Sequence, residues 1–386
     1  MSFWLVVTAV IALIWLIRHI ELTYTQIAEP PLQEGQFDGA PNPAPRVSVL
    51  VAAKDEEANI ELCLQSILQW DYPNFQLIVI DDRSSDRTAE RARRVLEGDP
   101  RAQFLEVDHL PEGWAGKCNA MHMALPHADG DYLLFIDADV RQESQQTLSL
   151  AVRLAQAQKV DFLTILPALE THGFWESVVQ PVCTVVLLYW LKPRRVNRPG
   201  HWAAYANGAF MMLSRQCYQA IGGHDRSRRE LNEDIHMARL TKRAGMKLYM
   251  TRSRGLFRSR MYEGLRATWR GWTRIFYGTF GNYWIPAISM TLLTILSVQP
   301  YVALVVAASM GHRLLLMLSS VAVLLQIGVM IRFYLFCRVN PFYALFYCLG
   351  AMCTVGVLGH TLIKLSGQPI TWRATQYAHD HKPGSS

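Results

Sequence analysis

Apolar residues follow two different rhythms along this chain. Near the start, Phe3 to Ile17 is apolar apart from one threonine, ends at Arg18 and His19, and continues through Ile20 and Leu22. That length and its flanks predict a transmembrane anchor over residues 1–22. A signal peptide would carry its charge first and a small-residue cleavage site afterwards, and neither is present. Residues 23–45, rich in Pro, Gly and Ala from about Glu29 to Pro45, read as a linker. The rhythm then changes. Val47–Ala53 is a buried-strand pattern, Glu57–Gln69 has helical periodicity, and Phe75–Ile80 is a second strand. Ser84-Ser85-Asp86 supplies N-cap residues for a helix to about Leu96. Gln103–Val107 is a third strand, Lys117–Leu125 a helix, and Tyr132–Ile136 a fourth strand. Strands alternating with helices predict an α/β domain with a mostly parallel sheet, whose ligands bind beyond the strand carboxyl ends.

After Leu150 the pattern loosens. Val178–Leu191 is apolar and aromatic, short for a crossing, and followed by Lys192, Arg194, Arg195 and Arg198. It fits either a core helix or an interfacial helix with its basic residues toward lipid headgroups. Ala209–Leu213 and Lys247–Thr251 read as strands, Glu230–Arg243 as a helix, and Glu263–Tyr277 as an amphipathic basic-aromatic helix. From Trp284 the chain is apolar almost to Leu365, in segments 284–310, 314–331 and 342–363. Positive-inside bias at Arg18 puts the following domain in the cytoplasm, but three further spans would carry Lys364 and the tail (366–386), with Arg373 and Lys382, outside. A division of the first segment at Pro300, into a re-entrant or interfacial element, would restore the parity.

Composition narrows the partners. The net charge of +6 over 386 residues is modest, and the basic residues cluster beside apolar segments. This argues against nucleic acid and for a membrane or a diphosphate. The seven cysteines are scattered with no C-x-x-C pair, as expected of buried thiols in a reducing compartment.

Four polar features sit where the strands end or the helices begin. The fourth strand stops at Asp137-Ala-Asp139, a pair of hard ligands suited to Mg²⁺ or Mn²⁺, or else a solvated acidic turn. Lys54-Asp55-Glu56 and Asp81-Asp82 follow the first two strands. Gly113-Trp-Ala-Gly-Lys117 precedes a helix, as a phosphate site or a plain glycine turn would. Glu233-Asp234 opens another helix, where carboxylates favour the dipole or serve as a general base. A metal, a lysine for diphosphate and a separate base together describe substitution at the anomeric carbon of a nucleotide-sugar.

The ordered set Val47-Ser-Val-Leu-Val-Ala-Ala-Lys-Asp-Glu-Glu, Ile80-Asp-Asp-Arg-Ser-Ser-Asp-Arg-Thr, Gly116-Lys-Cys-Asn-Ala, Asp137-Ala-Asp, Asn207-Gly-Ala-Phe, Ile221-Gly-Gly and Asn232-Glu-Asp resembles glycosyltransferase family 2 over residues 46–280. The resemblance implies a GT-A fold, a Rossmann-like nucleotide-diphospho-sugar transferase domain, between the N-terminal anchor and C-terminal transmembrane helices at 284–365. It also implies a nucleotide-sugar donor, usually UDP-linked, a divalent metal and inversion.

By position, Asp82 with Asp81 would contact the nucleotide, and Asp55 would join them at the donor. Lys117 would touch the diphosphate, and Asp139 assisted by Asp137 would hold the metal. Asp234 stands where the family's Thr-Glu-Asp places its base, with Asn232 replacing the threonine. Arg266-Ala-Thr-Trp-Arg-Gly-Trp272 departs in spacing from the Gln-x-x-Arg-Trp motif of membrane members. Arg270 and Trp272 are therefore either donor contacts or part of an interfacial helix. Trp202, Tyr205 and Asn207 are further pocket candidates, with aromatic core packing as the alternative. The layout is similar to that of lipid-glycosylating members, implying a lipid acceptor at the cytoplasmic face of the inner cell membrane. A processive polysaccharide synthase and a silent membrane scaffold are the competing readings.

Overall fold

The structure is a computed structural model that describes residues 2–368 and the backbone of 370–372 and 375–377. Arg373 and Lys382, on which the parity of the spans turns, lie outside the described residues. Two compact units emerge: Pro30–Ala168 with Leu191–Arg260, and Met1–Glu29 with Leu169–Trp190 and the chain from Met261 onward.

The first unit is built on a seven-stranded sheet: β1 (Val47–Ala53), β2 (Phe75–Asp81), β3 (Ala102–Glu106), β4 (Tyr132–Asp137), β5 (Phe162–Leu166), β6 (Met211–Ser214) and β7 (Leu248–Arg252). Their order is β3-β2-β1-β4-β6-β5-β7. Val47, Val49, Leu50 and Val51 of β1 are fully buried, as are Leu133 to Ile136 of β4. Both runs are apolar because a central strand has no solvent face. Burial of each such side chain contributes about 1.5–3 kcal/mol. β1 pairs in parallel with β2 and β4, setting Ala53 opposite Asp81 and Ala52 opposite Asp137. The carboxylates at the ends of β2 and β4 therefore stand on one edge of the sheet.

β6 runs antiparallel to both β4 and β5. Its reversed direction matters, because the residues entering β6, 207–210, arrive at the edge where β4 leaves.

The second unit is helical. Among the described residues, five helical stretches are long and apolar enough to cross a membrane: Ser2–Ala28, Phe174–Val196, Trp284–Ser309, Arg313–Phe336 and Pro341–Leu365. The second is longer than its sequence pattern predicts and is 61% buried, against 22–39% for the others. That burial favours the core-helix reading. Glu176 in its first turn accepts from the backbone N–H of Gly264 at 2.7 Å and of His172 at 3.0 Å.

Pro300 does not divide the chain as the sequence reading allowed. Trp284–Leu293, a π-turn at Thr294–Val298 and Gln299–Ser309 form one continuous helical run. Proline lacks the N–H that would bond the carbonyl of Leu296 four residues back. Trp15 Nε1 donates to that carbonyl at 3.0 Å and Gln326 Nε2 at 3.3 Å. The freed acceptor is satisfied by side chains, so the helix passes through the proline intact.

Candidate active site at the carboxyl edge of the sheet

The first half of the site lies beyond β1 and β2. Asp82 N–H donates to the carbonyl of Ala53 at 2.8 Å, and Val107 N–H donates to that of Asp81 at 2.9 Å, extending the sheet by one rung. Two residues past each strand the backbone turns left-handed without glycine, at Asp55 (φ 52°) and Arg83 (φ 56°). Such strain persists where the surroundings over-determine it. Asp55 Oδ1 accepts from Ser85 N–H at 2.8 Å and Ser85 Oγ at 3.0 Å, and Asp55 N–H donates to Ser84 Oγ at 3.0 Å. Predicted at the donor, Asp55 here stitches the two strand-end loops together.

Asp81 and Asp82 are both buried, 5% and 3% exposed. Asp81 Oδ2 accepts from Ser84 N–H at 3.0 Å, while its Oδ1 has no hydrogen-bond partner. Asp82 Oδ1 accepts from Arg83 Nε at 2.8 Å. Its Oδ2 rests against Gly116, where a Cβ would stand only 2.2 Å away. The glycine before Lys117 is thus required by the Asp82 carboxylate, and the helix Gly116–Ala124 starts directly there.

The second half gathers around the end of β4. Asp137 N–H donates to the carbonyl of Gly208 at 3.1 Å, joining it to the chain entering β6. Lys117 Nζ lies 2.5 Å from Asp137 Oδ1 and 2.5 Å from Glu233 Oε1. A Cβ on Gly208 would come within 2.6 Å of Asp137 Oδ2 and 2.9 Å of Lys117 Nζ. Gly208 N–H donates to Asp234 Oδ2 at 3.2 Å, and Ile235 N–H donates to Asp234 Oδ1 at 2.7 Å. The helix carrying this pair begins at Glu233, three residues later than predicted, so Glu233 and Asp234 occupy its first turn. Asn232 makes no side-chain cap there.

These neighbours displace the titrations. Burial, then the negative charge of Asp137 and of Glu56, pushes Asp139 up to about 7. Burial, then Glu233, pushes Asp234 up to about 7. Burial alone would lower the Lys117 ammonium, but Asp137 and Glu233 outweigh it and raise it above its usual value.

A divalent cation fits what Asp139 offers. Its Oδ2 accepts from Ser259 Oγ at 3.2 Å, while Oδ1 is buried with no hydrogen-bond partner. An orphaned carboxylate oxygen beside a second carboxylate is a site for a hard cation. No group of three or more His, Cys, Asp or Glu side chains among the described residues could hold a metal. The two aspartates would therefore share a cation with diphosphate and water oxygens.

Trp202 is 62% exposed whereas Tyr205 is buried, and Asn207 Oδ1 accepts from Ala209 N–H at 2.9 Å in a local turn. Arg270 and Trp272 lie on the helix Gly264–Phe280, in the helical unit. Arg270 is exposed, and Trp272, 2% exposed, packs its ring 5.4 Å from that of Phe276.

Sequence reasoning missed Gly208, Ser259 and the partnership of Glu233 with Lys117. The first was visible only inside Asn207-Gly-Ala-Phe, and the second carries no local signal. Glu233 was absorbed into helix-dipole capping, because pairing across more than a hundred residues leaves no mark in periodicity.

Residues 48–222 match the family model of glycosyl transferase family 2. A 4,4'-diaponeurosporenoate glycosyltransferase of Staphylococcus aureus is 28% identical over 238 residues, 59% of this chain and 60% of that protein. A beta-monoglucosyldiacylglycerol synthase of Trichormus variabilis is 30% identical over 183 residues, 46% of this chain and 38% of that protein. The chain therefore spans less than two thirds of the length of these curated relatives. A mannosyltransferase from Pyrobaculum calidifontis, solved in complex with GDP-Man and Mn²⁺, superimposes with a TM-score of 0.55 at 18% identity, over 92% of this chain and 99% of that one. The α/β unit, with its mixed sheet and its acidic carboxyl edge, thus contains a segment similar to glycosyl transferase family 2 and shares the fold of the Pyrobaculum mannosyltransferase.

Proposed function

We propose that the chain transfers a sugar from a UDP-linked donor to a hydroxyl of a lipid acceptor, inverting the anomeric carbon. The reaction would take place at the cytoplasmic face of a cell membrane that the chain spans several times. The observation that carries this reading is the cluster at the end of β4. There the Lys117 ammonium, Asp137 and Asp234 meet at Gly208, with Glu233 against the ammonium and the negative charge of Asp137 acting on Asp139. Support for the acceptor comes from two relatives whose names contain a carotenoid and a diacylglycerol, and from the five long apolar helices.

In this mechanism each residue has a distinct task. Asp81 and Asp82, buried beyond β2, hold the nucleotide. Mg²⁺ or Mn²⁺, held by Asp139 with Asp137, would neutralise charge on the departing diphosphate. Lys117 contacts the same diphosphate from the start of its helix. Asp234 takes the acceptor proton as the hydroxyl attacks, and the two backbone N–H donors fix its carboxylate in place. Its raised titration keeps it basic enough for that transfer near neutral pH. In this reading residues 46–280 are the catalytic part, 1–22 an anchor and 284–365 membrane helices. Arg270 and Trp272 would touch donor or acceptor from the helix that joins them.

The test uses the detergent-solubilised full chain, UDP- and GDP-linked sugars, Mg²⁺ or Mn²⁺, and a bacterial lipid extract. Nucleotide release is followed and the lipids are analysed by mass. A single hexose-type shift on one lipid class is the expected result. A ladder of additions or a water-soluble polymer would replace the reading with a processive synthase. Release to water alone, with every lipid unchanged, would remove the lipid acceptor.

A further inference from the structure

The Lys117 ammonium is shared between two carboxylates of unequal standing. Asp137 belongs to the predicted metal pair, whereas Glu233 is no part of it and is only 7% exposed. Both oxygens stand 2.5 Å from Nζ; the contact to Asp137 is a hydrogen bond, and that to Glu233 Oε1 is an ion pair without hydrogen-bond geometry. The oxygen of Asp137 that faces Lys117 is thus already neutralised by a cation, while Asp139 Oδ1 has no hydrogen-bond partner at all. A divalent ion recruiting Asp137 would have to compete with the ammonium for this carboxylate. Two cations do not bind one carboxylate edge without mutual repulsion.

We propose that Lys117 is the resident counter-ion of Asp137 before a divalent cation binds, and that Glu233 is the berth that retains the ammonium when the cation takes Asp137. Glu233 is then a positioning residue acting through Lys117. It keeps the displaced ammonium beside the site, facing the position of a bound diphosphate. The inference rests on the metal reading given above. It adds an exchange between two cations and a role for a glutamate that the base assignment leaves unused.

The exchange makes opposite demands on two variants. Lys117→Met removes the competitor, so Mn²⁺ binds more tightly without nucleotide, roughly tenfold or more, while UDP binds more weakly. Glu233→Gln leaves the ammonium on Asp137 alone, so Mn²⁺ binds more weakly by a similar factor. Simple loss of charge would move each variant in the same direction, and the double variant separates the two accounts. If Glu233 acts through Lys117, Glu233→Gln has little further effect on Mn²⁺ affinity once Lys117 is Met.

The experiment measures Mn²⁺ affinity of the full chain in detergent by the electron paramagnetic resonance of free Mn²⁺, with and without UDP. It covers wild type, both single variants, the double variant, Lys117→Arg and Asp139→Ala. The expected pattern is tighter, weaker and non-additive for the first three variants, with Lys117→Arg near wild type because it keeps the charge. Additive effects of the two single changes, or unchanged affinity in Lys117→Met, would overturn the exchange while leaving the metal reading in place. Equal Mn²⁺ binding by wild type and Asp139→Ala would overturn the metal reading itself, and the exchange with it.

Discussion

The α/β unit and the helical unit treat buried polar groups in opposite ways. In the helical unit they are mostly neutral and are turned to the backbone's needs. Trp15 and Gln326 bond the carbonyl that Pro300 leaves open, and the hydroxyls of Ser297 and Tyr347 meet at 2.8 Å. Its one buried carboxylate among the described residues, Glu176, caps backbone N–H groups. At the carboxyl edge of the sheet the buried groups are charged and crowded, and the atoms without hydrogen-bond partners include carboxylate oxygens of Asp81 and Asp139, whereas in the helical unit such atoms include the neutral Gln326 Oε1 and Trp272 Nε1. Each arrangement has a cost, but only the first repays it in stability. A cluster of carboxylates with orphaned oxygens is destabilising by itself, and its persistence is intelligible as a binding site for cationic and diphosphate groups.

The contrast predicts that equivalent damage has different consequences in the two units. The largest effects belong at the strand ends. Asp139→Ala should abolish metal-dependent donor use. Asp234→Asn should lower kcat by about 10²–10⁴-fold while leaving donor binding intact, as nucleotide-sugar titration and turnover together would reveal. Full activity in EDTA would break the metal assignment.

Two glycine substitutions give a matched pair. A Cβ at Gly116 would stand 2.2 Å from Asp82 Oδ2, and one at Gly356 would stand 2.3 Å from Trp269 Cη2. Overpacking of either kind costs about 1–3 kcal/mol. Gly116→Ala should raise the donor KM on the order of tenfold, whereas Gly356→Ala should lower the melting temperature with the donor KM unchanged. Equal effects on donor KM would erase the comparison.

A pH profile sharpens it further. As the proposed base Asp234 would act only when ionised, and it is pushed up to about 7, by burial first and by Glu233 next. Turnover should therefore rise as pH increases through about 7. Glu233→Gln removes a neighbouring negative charge, so the same rise should move to lower pH. The smallest effect is expected for Gln326→Leu, which withdraws the donor to the carbonyls of Leu296 and Ser297. The loss should be about 0.6–1.7 kcal/mol of stability with transfer unaltered, read from thermal unfolding and turnover of the same sample.

The sheet was legible because each strand from β1 to β4 is a short apolar run ending in a polar turn. The alternation with helices predicted that they run mostly parallel, not the order in which they pair. The direction of β6 was not legible, since antiparallel and parallel strands share the same period, and with it went the approach of Gly208 to Asp137. The carboxylates at the strand ends were visible as residues, but their partners were not. Lys117 was expected to meet phosphate, and only the folded chain brings it to Glu233. In the helical unit, hydropathy marked the long segments but left open whether Pro300 divides the first of the C-terminal ones. A proline reads as a break until the groups that satisfy Leu296 from distant helices are known.

The most direct test compares wild type with Asp234→Asn in Mn²⁺, using the donor and lipid that the panel identifies. Donor binding and sugar appearing on the lipid are measured side by side. The account predicts undiminished donor binding and almost no glycosylated lipid from the variant. Glycosylation at the wild-type rate would remove Asp234 as the base and contradict the mechanism built on the carboxyl edge of the sheet.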